Sequence, residues 1–468
     1  MKTELNFYLL LSFLFITIFS SAQEIVGSWK GVLKVQSQEL PIVFNILGND
    51  GILSSTMDSP SQGAMGIATD SISFVDNILR IDLTKFGINY VGTFDGESII
   101  GTFTQGGIPI SLDLTRGKYK AASKIQEPKE PYPYLSEEVV FINKKAENIK
   151  LSGTLTLPTN EENPPVAILI TGSGPQNRNQ ELLGHKPFLV LSDHLTRKGI
   201  AVLRYDDRGT AQSEGQFENA TTFDFASDVA AAVAYLKTRK DVIDITKIGF
   251  IGHSEGGLIA PIIASENKEI AFCVLLAAPG ISGKEILMTQ TRKAMELGGV
   301  SQEDIKINEK YSEKIYEICG NYKGEASKTE IIAIFGEMKN SSSEMLKSQL
   351  TDEVVTQQVN LITSPWMRTF IKIEPKDYLN KVNCPVLAIN GEKDFQVVPE
   401  VNLEGIENGL KSANNTDVTV EEIINLNHLF QTSETGSFTE YATNEETFSP
   451  VALEIISDWI NERFQKSN

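Results

Sequence analysis

Ser254 stands in the run KIGFIGHSEGG, where Gly252-His253-Ser254-Glu255-Gly256 follows an apolar stretch and precedes a helix-like one, GLIAPIIASE. A Gly-x-Ser-x-Gly pentapeptide at a strand-to-helix turn lets the chain bend sharply enough to hold its serine strained and exposed. A serine hydroxyl is a weak nucleophile at neutral pH, so the chemistry also needs a base to take its proton and an acid to orient that base. Farther along, Asp394 follows PVLAINGEK and His428 follows VEEIINLN, giving the chain order serine, acid, histidine. The expected roles are Ser254 as nucleophile, Asp394 as acid and His428 as base. Glu392 and Asp377 stay open as alternatives for the acid, since either could reach the same loop region. His253 reads as a packing residue under the turn, and His194 as part of a helix face.

Acyl transfer also requires two donors aimed at the developing oxyanion, normally the amide after the nucleophile and one from a loop after an earlier strand. Glu255 supplies the first. The second is expected from ILITGSGPQNRNQ, at Ser173 or alternatively Gly174, because Gly172 and Gly174 let the backbone approach a substrate closely. Cradling of phosphate by this loop is disfavoured, since the chain has no GxxxxGK[ST] run. His185, in GHKPF, is a candidate pocket residue.

Elements of a definite kind must carry these groups. From Pro165 onward, VAILITG, IAVLRYD, KIGFIGH, FCVLLAAP, PVLAING and VEEIINL are mostly continuous apolar runs, as in strands buried on both faces of a parallel sheet. Helical stretches separate them, DFASDVAAAVAYLKTR most clearly, with Phe225, Val229, Val233 and Leu236 on one stripe. This rhythm predicts a doubly wound α/β domain over residues 137–468. It is broken over residues 281–378, where nearly a hundred residues lack a convincing strand and read as a helical cap insertion. The cap leaves after one strand and returns before the next, so it is expected to lie over the strand ends as a lid. Ile286, Leu287, Met288, Met295, Leu297 and the segment Trp366 to Phe370 offer it soft apolar surface, with Trp366 and Phe370 as candidate pocket residues.

Ahead of that domain, residues 23–117 show short β-rich runs every ten residues or so, with tight-turn signals at Asp50-Gly51, Asp95-Gly96 and Gly106-Gly107. An antiparallel barrel or sandwich of about eight strands is expected, with Trp29 near one end. Residues 118–136 hold Pro128, Pro131 and Pro133 and read as a linker. Residues 1–22 combine Lys2, an apolar run and small residues at Ser20 and Ala22, the pattern of a secretory signal peptide, with an uncleaved anchor as the alternative. The protein is therefore expected to be exported, periplasmic or released, without stable membrane insertion after cleavage.

Composition narrows the partners. With 41% hydrophobic and 22% charged residues the chain has the make-up of a soluble globular protein. Its formal charge of -19 is spread along the whole length, which disfavours nucleic acid as a partner. Three cysteines, Cys273, Cys319 and Cys384, read as packing thiols, with a Cys319 to Cys384 bridge an open alternative. The four histidines show no metal-ligand spacing, so neither metal nor cofactor is expected.

The stretches TGSGPQNRN, HKPFLVLSDHL, GIAVLRYDDRGTAQSEG, GHSEGG, PVLAINGEKDFQV and ETFSPVALEIISDWI together resemble a bacterial esterase family of the α/β-hydrolase fold, related to dienelactone hydrolases and serine aminopeptidases. The resemblance runs from about Glu137 to the C-terminus and is weakest in the insertion. The β-rich front domain resembles a module carried by some exported members. What it implies is a carboxylesterase acting on a small-molecule ester, short acyl chains included, through Ser254, Asp394 and His428. An exopeptidase sharing the fold is the alternative among enzymes, and a non-catalytic binding protein on the same frame is the alternative outside them. Similar proteins read Arg-Gly-x-Gly-x-Ser where this chain has Arg208-Gly209-Thr210-Ala211-Gln212-Ser213, which puts the path of that loop in question. Asp206, Asp207 and Arg208 read as an internal ion-pair network.

Overall fold

The computed structural model describes residues 24–35, 38–49, 52–60, 64–105, 108–117 and 124–464. The expected signal peptide lies outside the described residues, as do the turn pairs Asp50-Gly51 and Gly106-Gly107. The chain divides between Ser123 and Lys124 into two compact units, the first of which also takes Leu182–His185.

In the first unit, ten strands from Gly27–Val35 to Leu114–Arg116 join one antiparallel sheet. Two more strands form than the expected eight or so. Ile108–Ser111 and Leu114–Arg116 are only four and three residues long, too short to show an alternation. Period-two burial along Ile88–Phe94 turns one face of the sheet onto a core of Trp29, Phe44, Tyr90 and Phe103. Trp29 is fully buried there, edge-on to Phe94 at 5.6 Å, and its indole N–H donates to the Ile25 carbonyl at 2.7 Å. The ends of the sheet order are Ala64–Ala68 and Ser71–Val75.

The second unit opens with an antiparallel hairpin, Leu135–Asn143 and Ile149–Leu157, whose first strand starts inside the segment read as linker. An eight-stranded sheet continues in the order Ala201–Tyr205, Val166–Ile170, Ile248–His253, Cys273–Leu276, Val386–Gly391 and Val418–Ile423, all parallel to one another. The apolar runs lie where a sheet covered on both faces requires them. Helices Pro187–Arg197 and Pro450–Phe464 cover one face through Phe188, Leu191, Ile456 and Ile460. On the other, Thr222–Leu236, Glu255–Glu266 and Pro399–Ser412 pack Val229, Val233, Leu258 and Ile406. Each such side chain, fully buried, contributes roughly 1.5–3 kcal/mol of apolar transfer. The architecture is the α/β-hydrolase fold. Within Thr222–Leu236 the inward stripe runs through Ala226 rather than Phe225, which is half-buried and stacks on Phe217.

Seven helices between Gly283 and Leu379 make up the insertion. It departs after Cys273–Leu276 and returns before Val386–Gly391, neighbouring strands in the sheet. It has a core of its own, including Ile315, Ile331, Phe335, Met338 and Ile362. Cys319 sits in that core with its thiol donating to the Ile362 carbonyl, while Cys384 lies 3.9 Å from Cys273, sulfur to sulfur. All three thiols are free, so the Cys319 to Cys384 bridge is not formed. Among the described residues no helix is long and apolar enough to cross a membrane.

Candidate active site

Ser254 joins the strand Ile248–His253 to the helix Glu255–Glu266, at the carboxyl end of a strand inside the sheet. Its φ of 54° and ψ of -119° lie outside the regions a serine ordinarily occupies, a strain of about 1–3 kcal/mol that surrounding structure must hold. The flanking glycines explain how the turn closes. A Cβ at Gly252 would stand 2.1 Å from the Gly256 carbonyl oxygen, and one at Gly256 would stand 2.1 Å from that of Ile170. The Ser254 amide is tied to Leu276 O at 2.9 Å, and the serine itself remains half-buried at the surface of the domain.

Asp394 follows the strand Val386–Gly391, and His428 follows Val418–Ile423. Their side chains meet, with His428 Nδ1 2.8 Å from Asp394 Oδ2. The other carboxylate oxygen accepts the amides of Gln396 at 2.8 Å and Val397 at 2.9 Å, so the acid is fixed before the histidine reaches it. An ionised carboxylate only accepts, so Nδ1 carries the imidazole proton and Nε2 keeps a lone pair, as a general base needs. Asn427 shapes the histidine loop by accepting the amides of Leu429 and Gln431 on its side-chain oxygen. Glu392 instead accepts the Asn425 amide and pairs with Lys393, and Asp377 sits exposed in the cap helix Lys376–Leu379.

His253 does more than pack. Its Nε2 is 2.8 Å from the His428 carbonyl and must donate to it, which leaves Nδ1 to accept from Gln180 Nε2 at 2.7 Å. Burial, helped by the neighbouring His428, lowers its pKa to about 3, so the ring is neutral and locked in one tautomer. The residue before the nucleophile thereby anchors the backbone of the base. Sequence reasoning missed this bond because the partners are 175 residues apart. His194, as expected, lies on a helix, 3.1 Å from Ser457 Oγ.

The loop after Val166–Ile170 passes beside the nucleophile, and a Cβ at Gly172 would stand 3.3 Å from that of Ser254. Ser173 is exposed next to it, and Gly174 takes a left-handed φ of 94°. Asp207 clamps both ends of this loop, accepting the Thr171 hydroxyl at 2.8 Å and the Gln176 amide at 3.0 Å. The expected ion-pair network forms only in part. Asp206 pairs with Arg178 at 2.8 Å and Arg208 with Asp228 at 2.7 Å, whereas Asp207 faces these two neutral donors. Burial is the main reason its pKa rises to about 8, with Asp228 and Glu255 adding repulsion. Ala211 adopts φ of 48°, so the loop keeps the left-handed turn for which similar proteins use glycine.

Glu255 is buried, at 3% exposure, and its side chain is engaged. Oε1 accepts from Thr222 Oγ1 at 2.7 Å and from Trp366 Nε1 at 2.8 Å. Burial pushes its carboxyl pKa up, and hydrogen bonds from Thr222, Trp366 and Ser173 oppose the rise. Trp366 is thus held at the elbow by its polar edge. Phe370 stacks on it at 5.0 Å, is 4% exposed and packs in the core of the sheet domain, as does Ile286. Leu297 points to solvent. His185 lies in the Leu182–His185 bridge, within the segment that groups with the first unit. No cluster of three or more metal-ligating side chains exists among the described residues.

Comparison with known proteins finds relatives of this chain. The curated Esterase EstD of Thermotoga maritima is 28% identical over 259 residues, which span 53% of this chain and 62% of that relative. Among solved structures, the Pyrococcus furiosus esterase Pf2001 aligns at 18% identity and a TM-score of 0.42, covering 71% of this chain and 94% of that one. Est1E from Butyrivibrio proteoclasticus aligns at 18% identity and a TM-score of 0.39, covering 70% and 98%. The pattern of the Hydrolase_4 family, described as serine aminopeptidase, S33, matches residues 187–434, a stretch that takes in Ser254, Asp394 and His428. With more than half its length matched, the chain belongs to the serine aminopeptidase S33 family.

Proposed function

We propose that the protein is a serine hydrolase that cleaves carboxylic esters, short acyl esters among them, through an acyl-enzyme on Ser254. In this reading His428 Nε2 takes the Ser254 proton as Oγ attacks the ester carbonyl. The oxyanion is received by the Glu255 amide and a second amide at Ser173 or Gly174, and Asp394 steadies the charged imidazolium. His428 then protonates the departing alcohol, and water repeats the sequence to release the acid. The observation that carries the reading is the Asp394 to His428 pair, fixed in the base tautomer, in the same domain as a serine strained at a strand-to-helix elbow. The name of the Thermotoga maritima relative supports esters as substrate class.

A peptidase reading has the family's description on its side. It needs a carboxylate cluster to receive the substrate's ammonium group, since an unpaired buried charge is costly. Of the three carboxylates suited to it, Glu255 already accepts two protein donors on one oxygen. Glu374 and Asp377 line a cavity of about 410 Å³ together with Arg368 and Lys372, two cations that would compete for them. Esters are therefore the better supported class. The export signal read in residues 1–22 would place the reaction outside the cytoplasm. The test is a fluorophosphonate probe on the purified protein and its Ser254→Ala variant, with kcat/KM for short acyl nitrophenyl esters and aminoacyl nitroanilides. Labelling and ester cleavage that both vanish in Ser254→Ala are expected. Persistent labelling would overturn the nucleophile, and faster nitroanilide cleavage the substrate class.

A further inference from the structure

The side chain of Glu255 joins parts of the domain that are far apart in sequence. It leaves the first residue of the elbow helix, directly after the nucleophile. Thr222, one of its donors, is the first residue of Thr222–Leu236 and is fully buried. Trp366, a second, comes from the cap helix Pro365–Phe370, and Ser173, on the loop beside the nucleophile, is a third. That short helix is shared between two cores. Met367 packs into the cap's own cluster, while Phe370, stacked parallel to Trp366, packs into the core beneath the sheet. The carboxylate has no lysine, arginine or histidine among its hydrogen-bond partners. Neutral donors alone offset its burial, so each counts for more than it would beside a cation.

We propose that Trp366 and Glu255 form a latch that couples the seating of the cap to the oxyanion hole. The inference rests on the serine-hydrolase reading, because it takes the Glu255 amide as an oxyanion donor. That amide belongs to the residue whose side chain the cap grips, so a cap that swings away releases the donor as well as opening the entrance. Trp366 is then a positioning residue, acting through Glu255 rather than on the substrate. An oxyanion donor assists the transition state more than the bound ester, so its displacement lowers kcat rather than raising KM.

Trp366→Phe removes the indole N–H with its five-membered ring while keeping a six-membered ring to stack on Phe370. Thr222→Val removes a different donor to the same carboxylate without touching the cap. For a short acyl nitrophenyl ester, Trp366→Phe is expected to lower kcat by about tenfold with KM within about twofold, in line with loss of alignment at one oxyanion donor. Amide exchange in residues 366–370 is expected to quicken, with the melting temperature little changed. In Thr222→Val, kcat should fall while exchange in the cap helix stays at the parent rate. A parental kcat in Trp366→Phe, or a loss confined to KM, overturns the coupling while leaving the hydrolase reading intact. A parent that neither cleaves esters nor labels at Ser254 overturns both.

Discussion

Asp394→Asn separates geometry from chemistry in the proposed triad. Asp394 Oδ1 accepts the Gln396 and Val397 amides, while Oδ2 faces His428 Nδ1 at 2.8 Å. Asparagine has one oxygen and one NH2 group, and two fixed backbone donors hold the oxygen on their side. The NH2 must then point at His428 Nδ1, which can meet it only as an acceptor. The imidazole proton moves to Nε2, and the ring stays in place but cannot take the Ser254 proton. Loss of the base in this way is worth about 10⁴ in kcat, or roughly 5.4 kcal/mol of barrier. The fold should be unchanged, because size and backbone contacts are kept. The assay is kcat for a nitrophenyl acetate from pH 6 to 10, with circular dichroism and melting as controls. A folded Asp394→Asn within about tenfold of the parent at pH 7 would refute the assignment of Asp394 as the acid.

Ala211 holds φ of 48°, where an L side chain is strained by about 1–2 kcal/mol, and glycine returns part of the gain through its freer unfolded chain. Ala211→Gly is expected to stabilise the protein by about 0.5–1 kcal/mol in urea unfolding, and a loss of stability would contradict the strain. Asp207 binds its proton more tightly folded, at a pKa of about 8, than unfolded, at about 3.9. The native state holds the extra proton between those values, so this group's contribution to stability declines as pH rises from about 4 to about 8. Asp207→Asn should remove that slope, and the parent should lose ground to it between pH 5 and 8; parallel pH curves would show that Asp207 is ionised throughout. Mass spectrometry of protein recovered from a secreting host should find a mature chain that begins at Gln23, and retention of Met1 to Ala22 in a membrane fraction would favour an anchor.

Much of the site could be read from order and spacing. A glycine-flanked serine between an apolar strand and a helix implies one kind of turn, and the later strands end where an acid and a histidine must lie. Alternating apolar runs and helical stripes imply the layered sheet, because burial on both faces leaves no other use for such runs. Folding chose among groups that sequence leaves equivalent. Asp394 rather than Glu392 meets His428 because the amides of Gln396 and Val397 turn it inward, while Glu392 caps the Asn425 amide. The chain folds His253 against a carbonyl 175 residues away, and Glu255 against Trp366 111 residues away. Phe370 looked like a pocket aromatic by composition, yet its contacts place it in the core. Asp207 looked like its neighbour Asp206, but in the turn after Ala201–Tyr205 the two meet different partners, one Arg178 and the other the loop beside the nucleophile. Local pattern specifies which groups exist and which elements hold them. Long-range hydrogen bonds among buried groups, with their strength set by the absence of water, decide which of them meet.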